Sequence, residues 1–268
     1  MERIAVSTWA LDRWIAESFA DSPGEPNGAF GVGMGRIGSL PRALAGNGYR
    51  RVEICHFHLP PSEGARLSLA EGLTERGIEL QTLLIDAGDV TDPEFGERDE
   101  AWIAKWIDKA IVMGFRQARV VAGKQPWSEE SRDRSVAALG RLADSAGDRI
   151  SLVIENWFDL LQTPAHVHDL LDRLDGRVGL NGDFGNWSGP DKYERLAGIM
   201  GRAVACHAKC DSNEAYHVDR EDYERCLRLS EEAGYTGPYT LVHGAGLDFP
   251  WDFLRHQIGI IEATVGQK

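Results

Sequence analysis

Long apolar runs are missing from this chain. No stretch approaches the ~20 apolar residues that span a bilayer, so neither a transmembrane helix nor membrane binding is expected. Cysteine is scarce. Cys55, Cys206, Cys210 and Cys226 form no tight framework, and the C-x-x-x-C of Cys206 and Cys210 has no second pair to complete a zinc knuckle. Free thiols in a reducing cytoplasm are the expectation. Met1-Glu2-Arg3-Ile4 runs straight into a strand-like segment, with no signal-peptide pattern. Positive charge is in deficit: 29 Lys and Arg stand against 42 Asp and Glu, a net charge of −13. Such a surface repels a phosphate backbone, so nucleic-acid binding is not expected. Linker-like composition and fixed short repeats are also absent across the 268 residues, a length that buries a full core.

What the chain does have is alternation. Short β-branched runs begin at Ile4, Arg51, Ile78, Ala118, Ile150, Arg177, Ala203 and Tyr239, and a helical pattern separates each from the next. Glu97 to Met113 is strongly periodic, with Trp102, Ile103, Trp106, Ile107, Ala110 and Ile111 on one face and Gly114 as its stop. Ser128 and Thr163-Pro164 are helix starts. Strands alternating with helices imply a parallel sheet covered by helices, and eight such units have the size of a closed (β/α)8 TIM barrel. An open doubly wound sheet is the rival. The expected organisation is one barrel domain over residues 1–268, with residues of about 20–38 as a Gly- and Pro-containing lid that forms no regular element. Gly31 to Gly38 contains G-x-G-x-x-G, but it does not directly follow a strand, which argues against a dinucleotide site.

In such a barrel, reactive groups lie at the C-terminal ends of strands. Ser151-Leu152-Val153-Ile154-Glu155 is an apolar run ending in a carboxylate, which needs a partner when buried. An ion pair with Arg or Lys would suffice for one such residue. Asp183, His207 and His243 repeat the pattern on the next three strands, and two carboxylates with one or two imidazoles make a divalent-metal site. Oxygen-rich donors suit Mn2+, Mg2+ or Co2+, with Zn2+ also admitted. Other polar strand-tip residues are Glu53, His56, His58, Asn156, Asn186, Lys209 and Asp211, candidates for substrate contact. Trp9, Trp157 and Trp187 stand at or just past strand tips, where they can stack on a sugar or simply fill the barrel mouth. His166, His168 and His256 sit inside helical patterns and read as structural.

Leu152 to Asn156, Gly179 to Asn186 and His207-Ala208-Lys209-Cys210-Asp211 carry a family resemblance, supported by Gly234 to Pro238, Ile4 to Trp9 and Gly48 to Glu53. The chain resembles the xylose isomerase-like barrel superfamily, which includes sugar-phosphate isomerase/epimerase-type proteins, ketose 3-epimerases, inosose dehydratases and AP endonuclease-type barrels. The resemblance implies a TIM barrel in which Glu155, Asp183 and His207 take the places of three metal ligands. In epimerases the fourth is a Glu at the tip of strand eight; His243 is at that place here. Asn186 stands where a His usually follows the strand-six Asp, and the His-x-Lys-Asp pattern carries one extra residue.

The expectation is a cytoplasmic, metal-dependent sugar isomerase or epimerase, with a small carbohydrate as its partner. Glu155 would act as base, and His243 as ligand or acid–base group. A dehydratase or lyase on an inosose or keto-glycoside is the alternative, and a non-catalytic sugar-binding barrel a further one. An AP endonuclease-like role conflicts with the acidic surface. Assembly into a homo-oligomer is compatible with all of these.

Overall fold

The computed structural model describes residues 3–28, 36–210, 218–244 and 247–265. The strands are β1 (Ile4–Ser7), β2 (Ala20–Ser22), β3 (Glu25–Gly28), β4 (Arg51–Cys55), β5 (Glu79–Leu84), β6 (Gln117–Arg119), β7 (Ser151–Glu155), β8 (Val178–Asp183), β9 (Ala203–Cys210) and β10 (Tyr239–His243). The helices are α1 (Asp12–Ile15), α2 (Leu40–Gly46), α3 (Glu63–Thr74), α4 (Gly96–Met113), α5 (Glu129–Ala146), α6 (Pro164–Leu174), α7 (Lys192–Met200), α8 (Arg220–Glu232) and α9 (Trp251–Val265). All strands but β2 and β3 close into a parallel barrel, in the order β1-β10-β9-β8-β7-β6-β5-β4. This is the (β/α)8 TIM barrel expected from the alternation. Among the described residues, no helix is long and apolar enough to cross a membrane, and the four cysteines are buried free thiols.

Local chemistry sets the helix ends. Ser128 accepts from the Ser131 amide while the Ser131 hydroxyl accepts from the Ser128 amide, a reciprocal cap that starts α5. Thr163 caps α6 with Pro164 at its first turn. On α4, Ile103, Trp106, Ile107 and Ala110 turn inward and are buried. The barrel closes where β1 meets β10, with Ile4 opposite Tyr239 and Val6 opposite Leu241. Arg3 buckles that seam. Its Nε and Nη2 donate to the Gly237 and Tyr235 carbonyls, and its Nη1 pairs with Glu231 at 2.7 Å.

The segment after β1 departs from the lid expectation. Residues 29–35 lie outside the described residues, and with them most of the glycine-rich stretch. The preceding part is a regular hairpin, β2–β3, turned at Pro23-Gly24 with Gly24 at φ +84°. Proline first and a positive-φ glycine second suit a type II turn. The hairpin is anchored through Asp21. Its carbonyl accepts from His56 Nε2–H at 3.1 Å, and its carboxylate accepts from Trp102 Nε1–H at 3.2 Å.

Candidate active site

Glu155, Asp183 and His207 end or approach the end of β7, β8 and β9, and strand register brings Asp183 and His207 side by side. All three are buried, and one ligand atom from each lies within 4.8 Å of the others. His207 Nδ1 is 3.4 Å from Glu155 Oε1 and 3.5 Å from Asp183 Oδ2. Its other nitrogen, Nε2, donates to Glu53 Oε2 at 2.8 Å, and Glu53 is held in turn by the Thr82 hydroxyl. A carboxylate on one ring nitrogen fixes the tautomer and aims the other nitrogen, as at histidine-ligated metals. Asn186 Nδ2 donates to Glu155 Oε1 at 2.7 Å, and the Gly185 amide donates to Asp183 Oδ1.

Burial alone would push the Glu155 carboxyl up; His207 and Arg119 beside it outweigh that and hold it below the usual carboxylate range. Asp183 is raised, first by burial and also by the Glu155 charge. Burial works against charge on His207, but Glu155 and Glu53 raise it well above an ordinary imidazole. Among the described residues around this point, the carboxyl groups of Glu53, Glu155, Asp183 and Asp86 outnumber the cations Arg119 and Lys209, an acidic excess. The donor set, the held tautomer and that excess all fit a divalent cation.

The side chains lining the mouth enclose a cavity of about 60 Å³ bounded by Trp9, Asp86, Arg119, Glu155, Trp157, Asp183, Asn186, His207, Lys209 and Val242, among others. Larger grooves lie on the barrel's outside, by Pro41 and Leu69 and by Ser151 and Val204; neither holds such a convergent group. Gly185 lets Lys209 reach the cavity, because a Cβ there would stand 2.7 Å from the lysine stem. Lys209 Nζ is 3.4 Å from Asn186 Oδ1.

Other expected contacts fall elsewhere. His243 is not in the group. It lies opposite Cys210 in register, and its ring packs against Phe253 of α9 at 4.7 Å, while Val242 lines the cavity. Successive strand residues alternate faces, so an inward Val242 sends His243 out of the barrel. Asn156 is fully buried and braces the Asp183 backbone, donating to its carbonyl and accepting from its amide. Trp187 is buried with Nε1–H on the Leu161 carbonyl. His58 spans Thr8 and Asp12, and His56 spans the Asp21 carbonyl and the Asp86 amide. Glu53 meets His207 rather than the cavity. Asp211 lies outside the described residues. Two residues not anticipated do line the site. Arg119 pairs with Glu155 at 3.1 Å and donates to Asp86, and both side chains stand at strand ends.

Two outcomes follow from this geometry. Asp183→Asn should weaken binding of a divalent cation by more than about 100-fold, because changing a residue that merely supports a ligand already costs about 10- to 100-fold. Titration calorimetry on metal-stripped protein checks it, and unchanged affinity would remove Asp183 from the ligand set. Folding should not suffer, since the change deletes a buried charge that repels Glu155. His243 bears instead on stability. Burial lowers its pKa to about 4. The neutral ring therefore stabilises the fold fully above about pH 6.5, and that stability is lost as pH falls toward 4, at about 1.4 kcal/mol per pH unit. Urea unfolding should show wild type losing about 2 kcal/mol relative to His243→Gln between pH 6.5 and 5. A constant gap would contradict the assignment.

A family model described as xylose isomerase-like TIM barrel matches residues 41–251. No curated protein sequence matches the chain. Solved structures do. A xylose isomerase-like TIM barrel protein from Mycobacterium smegmatis in complex with magnesium is 19% identical at TM-score 0.69, covering 98% of this chain and 97% of that one. A 3-keto-D-glucoside 4-epimerase from E. coli is 15% identical at TM-score 0.69, covering 97% and 99%. A probable 3-DHS dehydratase from Bacillus anthracis is 13% identical at TM-score 0.67, covering 97% and 98%. At these identities the likeness is one of fold.

Proposed function

Because the chain belongs to the xylose isomerase-like TIM barrel family, we propose that it is a divalent-metal-dependent sugar isomerase or epimerase that takes a proton next to the carbonyl of a ketose or keto-sugar. The convergence of buried Glu155, Asp183 and His207 carries this reading. Mn2+, Mg2+ or Co2+ suits these donors. A bound ion would supply Lewis acidity at a substrate oxygen and acidify the adjacent C–H. Glu155 is the base. Asn186 holds its Oε1, and Arg119 and His207 keep it ionised. Glu53 orients His207. Lys209 presents its ammonium at the mouth, within reach of a substrate oxygen. Trp9, 46% exposed at the rim, and Trp157 offer apolar faces to a sugar that extends outward from the small cavity.

One observation favours a second reading. The cavity-lining residue of β10 is Val242, so that strand offers no second carboxylate facing Glu155. Elimination needs one base and a proton donor for the departing hydroxyl, and Glu155 with Lys209 supplies both. A dehydratase or lyase on an inosose or keto-glycoside is that reading.

An isotope experiment separates the two. Metal-loaded protein in D2O should place deuterium on the carbon next to the carbonyl if it epimerises. A dehydratase should release water and leave an unsaturated or deoxy product. Neither result across ketoses, keto-glucosides and inososes would leave only a sugar-binding barrel.

A further inference from the structure

Arg119 projects from the end of β6 into the mouth and is 3% exposed. Its Nη2 donates to Asp86 Oδ1, and its Nε lies 3.1 Å from Glu155 Oε2. Its Nη1 has no hydrogen-bond partner among the described residues and is closed to solvent. The same is true of Asp86 Oδ2. The two side chains bond to each other, and both line the cavity that holds Glu155, Trp157 and Lys209. Trp157 lies against the guanidinium, 5.2 Å from its carbon. Two side chains that bond to each other thus leave one buried donor and one buried acceptor without a partner among the described residues, which native structures rarely do without a reason.

The chemistry of that pair selects what can satisfy it. A carboxylate or phosphate could accept from Nη1 but would meet Asp86 Oδ2 with like charge. An ammonium would do the reverse. A hydroxyl both donates and accepts, so the hydroxyls of one polyol can meet both atoms. Arg119's charge is already met by Asp86 and Glu155, so nothing remains there to neutralise an anion. We propose that Asp86 and Arg119 form a hydroxyl-reading subsite that selects an uncharged polyol, a neutral ketose or cyclic keto-polyol, over its phosphate ester or an acid. The inference rests on the sugar-enzyme reading for what enters the site, but its test reads binding and not turnover.

The probes are D-fructose, D-fructose 6-phosphate and an inosose, titrated calorimetrically into full-length Mn2+-loaded protein, followed by single-deoxy analogues of the neutral probe that binds tighter. The neutral probes should bind at least about tenfold tighter than the phosphate. Asp86→Asn keeps an acceptor for Arg119 but replaces Oδ2 with a donor, and it should weaken the parent sugar about 10- to 100-fold. Against the one deoxy analogue that lacks the contacted hydroxyl, the same variant should lose less than about threefold, a coupling that a general structural disturbance does not produce. Should Asp86→Asn misfold, Arg119→Lys carries the same comparison, since it keeps a cation between the two carboxylates but has no Nη1. Phosphate ester binding as tight as the neutral sugar, equal losses against every deoxy analogue, or no binding of any probe would each overturn the subsite. Binding without turnover would leave the subsite standing and remove the catalytic reading instead.

Discussion

Glu155→Gln should slow solvent-deuterium exchange into the substrate by about 10²- to 10⁴-fold, the usual contribution of a positioned general base. The amide cannot accept the proton, and it also donates less charge to a cation held with Asp183 and His207. The fold should persist. Arg119 keeps its bond to Asp86, and His207 keeps Glu53 on one nitrogen and Asp183 near the other. Asn186 can still donate to the remaining Gln oxygen. Single-turnover exchange with metal at saturation is the appropriate measurement, because it separates proton transfer from weaker metal binding. Activity within tenfold of wild type would exclude Glu155 as the base.

Arg119→Met should cost about 3–5 kcal/mol of unfolding free energy in the metal-free protein, the typical result of removing one partner from a buried ion pair. Two carboxylates, Asp86 and Glu155, lose their shared cation, and Arg119 is only 3% exposed. Met fills much of the volume, so the loss reports charge rather than a cavity. A divalent ion would compensate Glu155 by itself. The deficit should therefore shrink when Mn2+ is added, and urea unfolding with and without the ion shows whether it does. A loss under about 1 kcal/mol in metal-free protein would mean that water reaches the pair freely.

Much of this centre is legible in the sequence because a closed parallel barrel projects strand tips to one face. Glu155 after an apolar run, Asp183 after Gly182 and His207 on the next strand announce themselves as polar ends of buried segments. Glu155 turns out to have the Arg neighbour that an isolated buried carboxylate calls for, and it stands beside Asp183 and His207 as well. His243 misleads because a strand reverses its side chains at every step, and a count off by one exchanges inside for outside. Register shows what spacing could not: Lys209 lies opposite Val242, and Cys210 opposite His243. Arg119 was visible as an Arg within the apolar Ala118-Arg119-Val120-Val121-Ala122, and Asp86 as the residue just past Ile85; the same strand-tip logic reaches both. The β2–β3 hairpin was hidden because its turn signal, Pro23-Gly24, sits in a segment already rich in turn residues. His56 and His58, candidates for substrate contact in the sequence, have structural roles that were hidden for another reason. Their partners are the Asp21 carbonyl and the Thr8 hydroxyl, 35 and 50 residues away, and no local pattern announces such contacts.

The seam buckled by Arg3 also sets a timetable. Arg3 and Gly237 are 234 residues apart in the chain, so the first strand leaves the ribosome long before its second neighbour exists. At roughly 5–20 residues per second, β1 waits on the order of 10–50 s with one edge open. Over that interval it can pair with β4 but not with β10, and its exposed edge is where a nascent chain of this kind is most open to chaperones or to a second copy. Ring closure is then the most non-local and the slowest step of folding. Pulse-labelled amide exchange should find the β1–β10 bonds protected last, and protection of Tyr239 before the β7–β8 ladder forms would contradict this order.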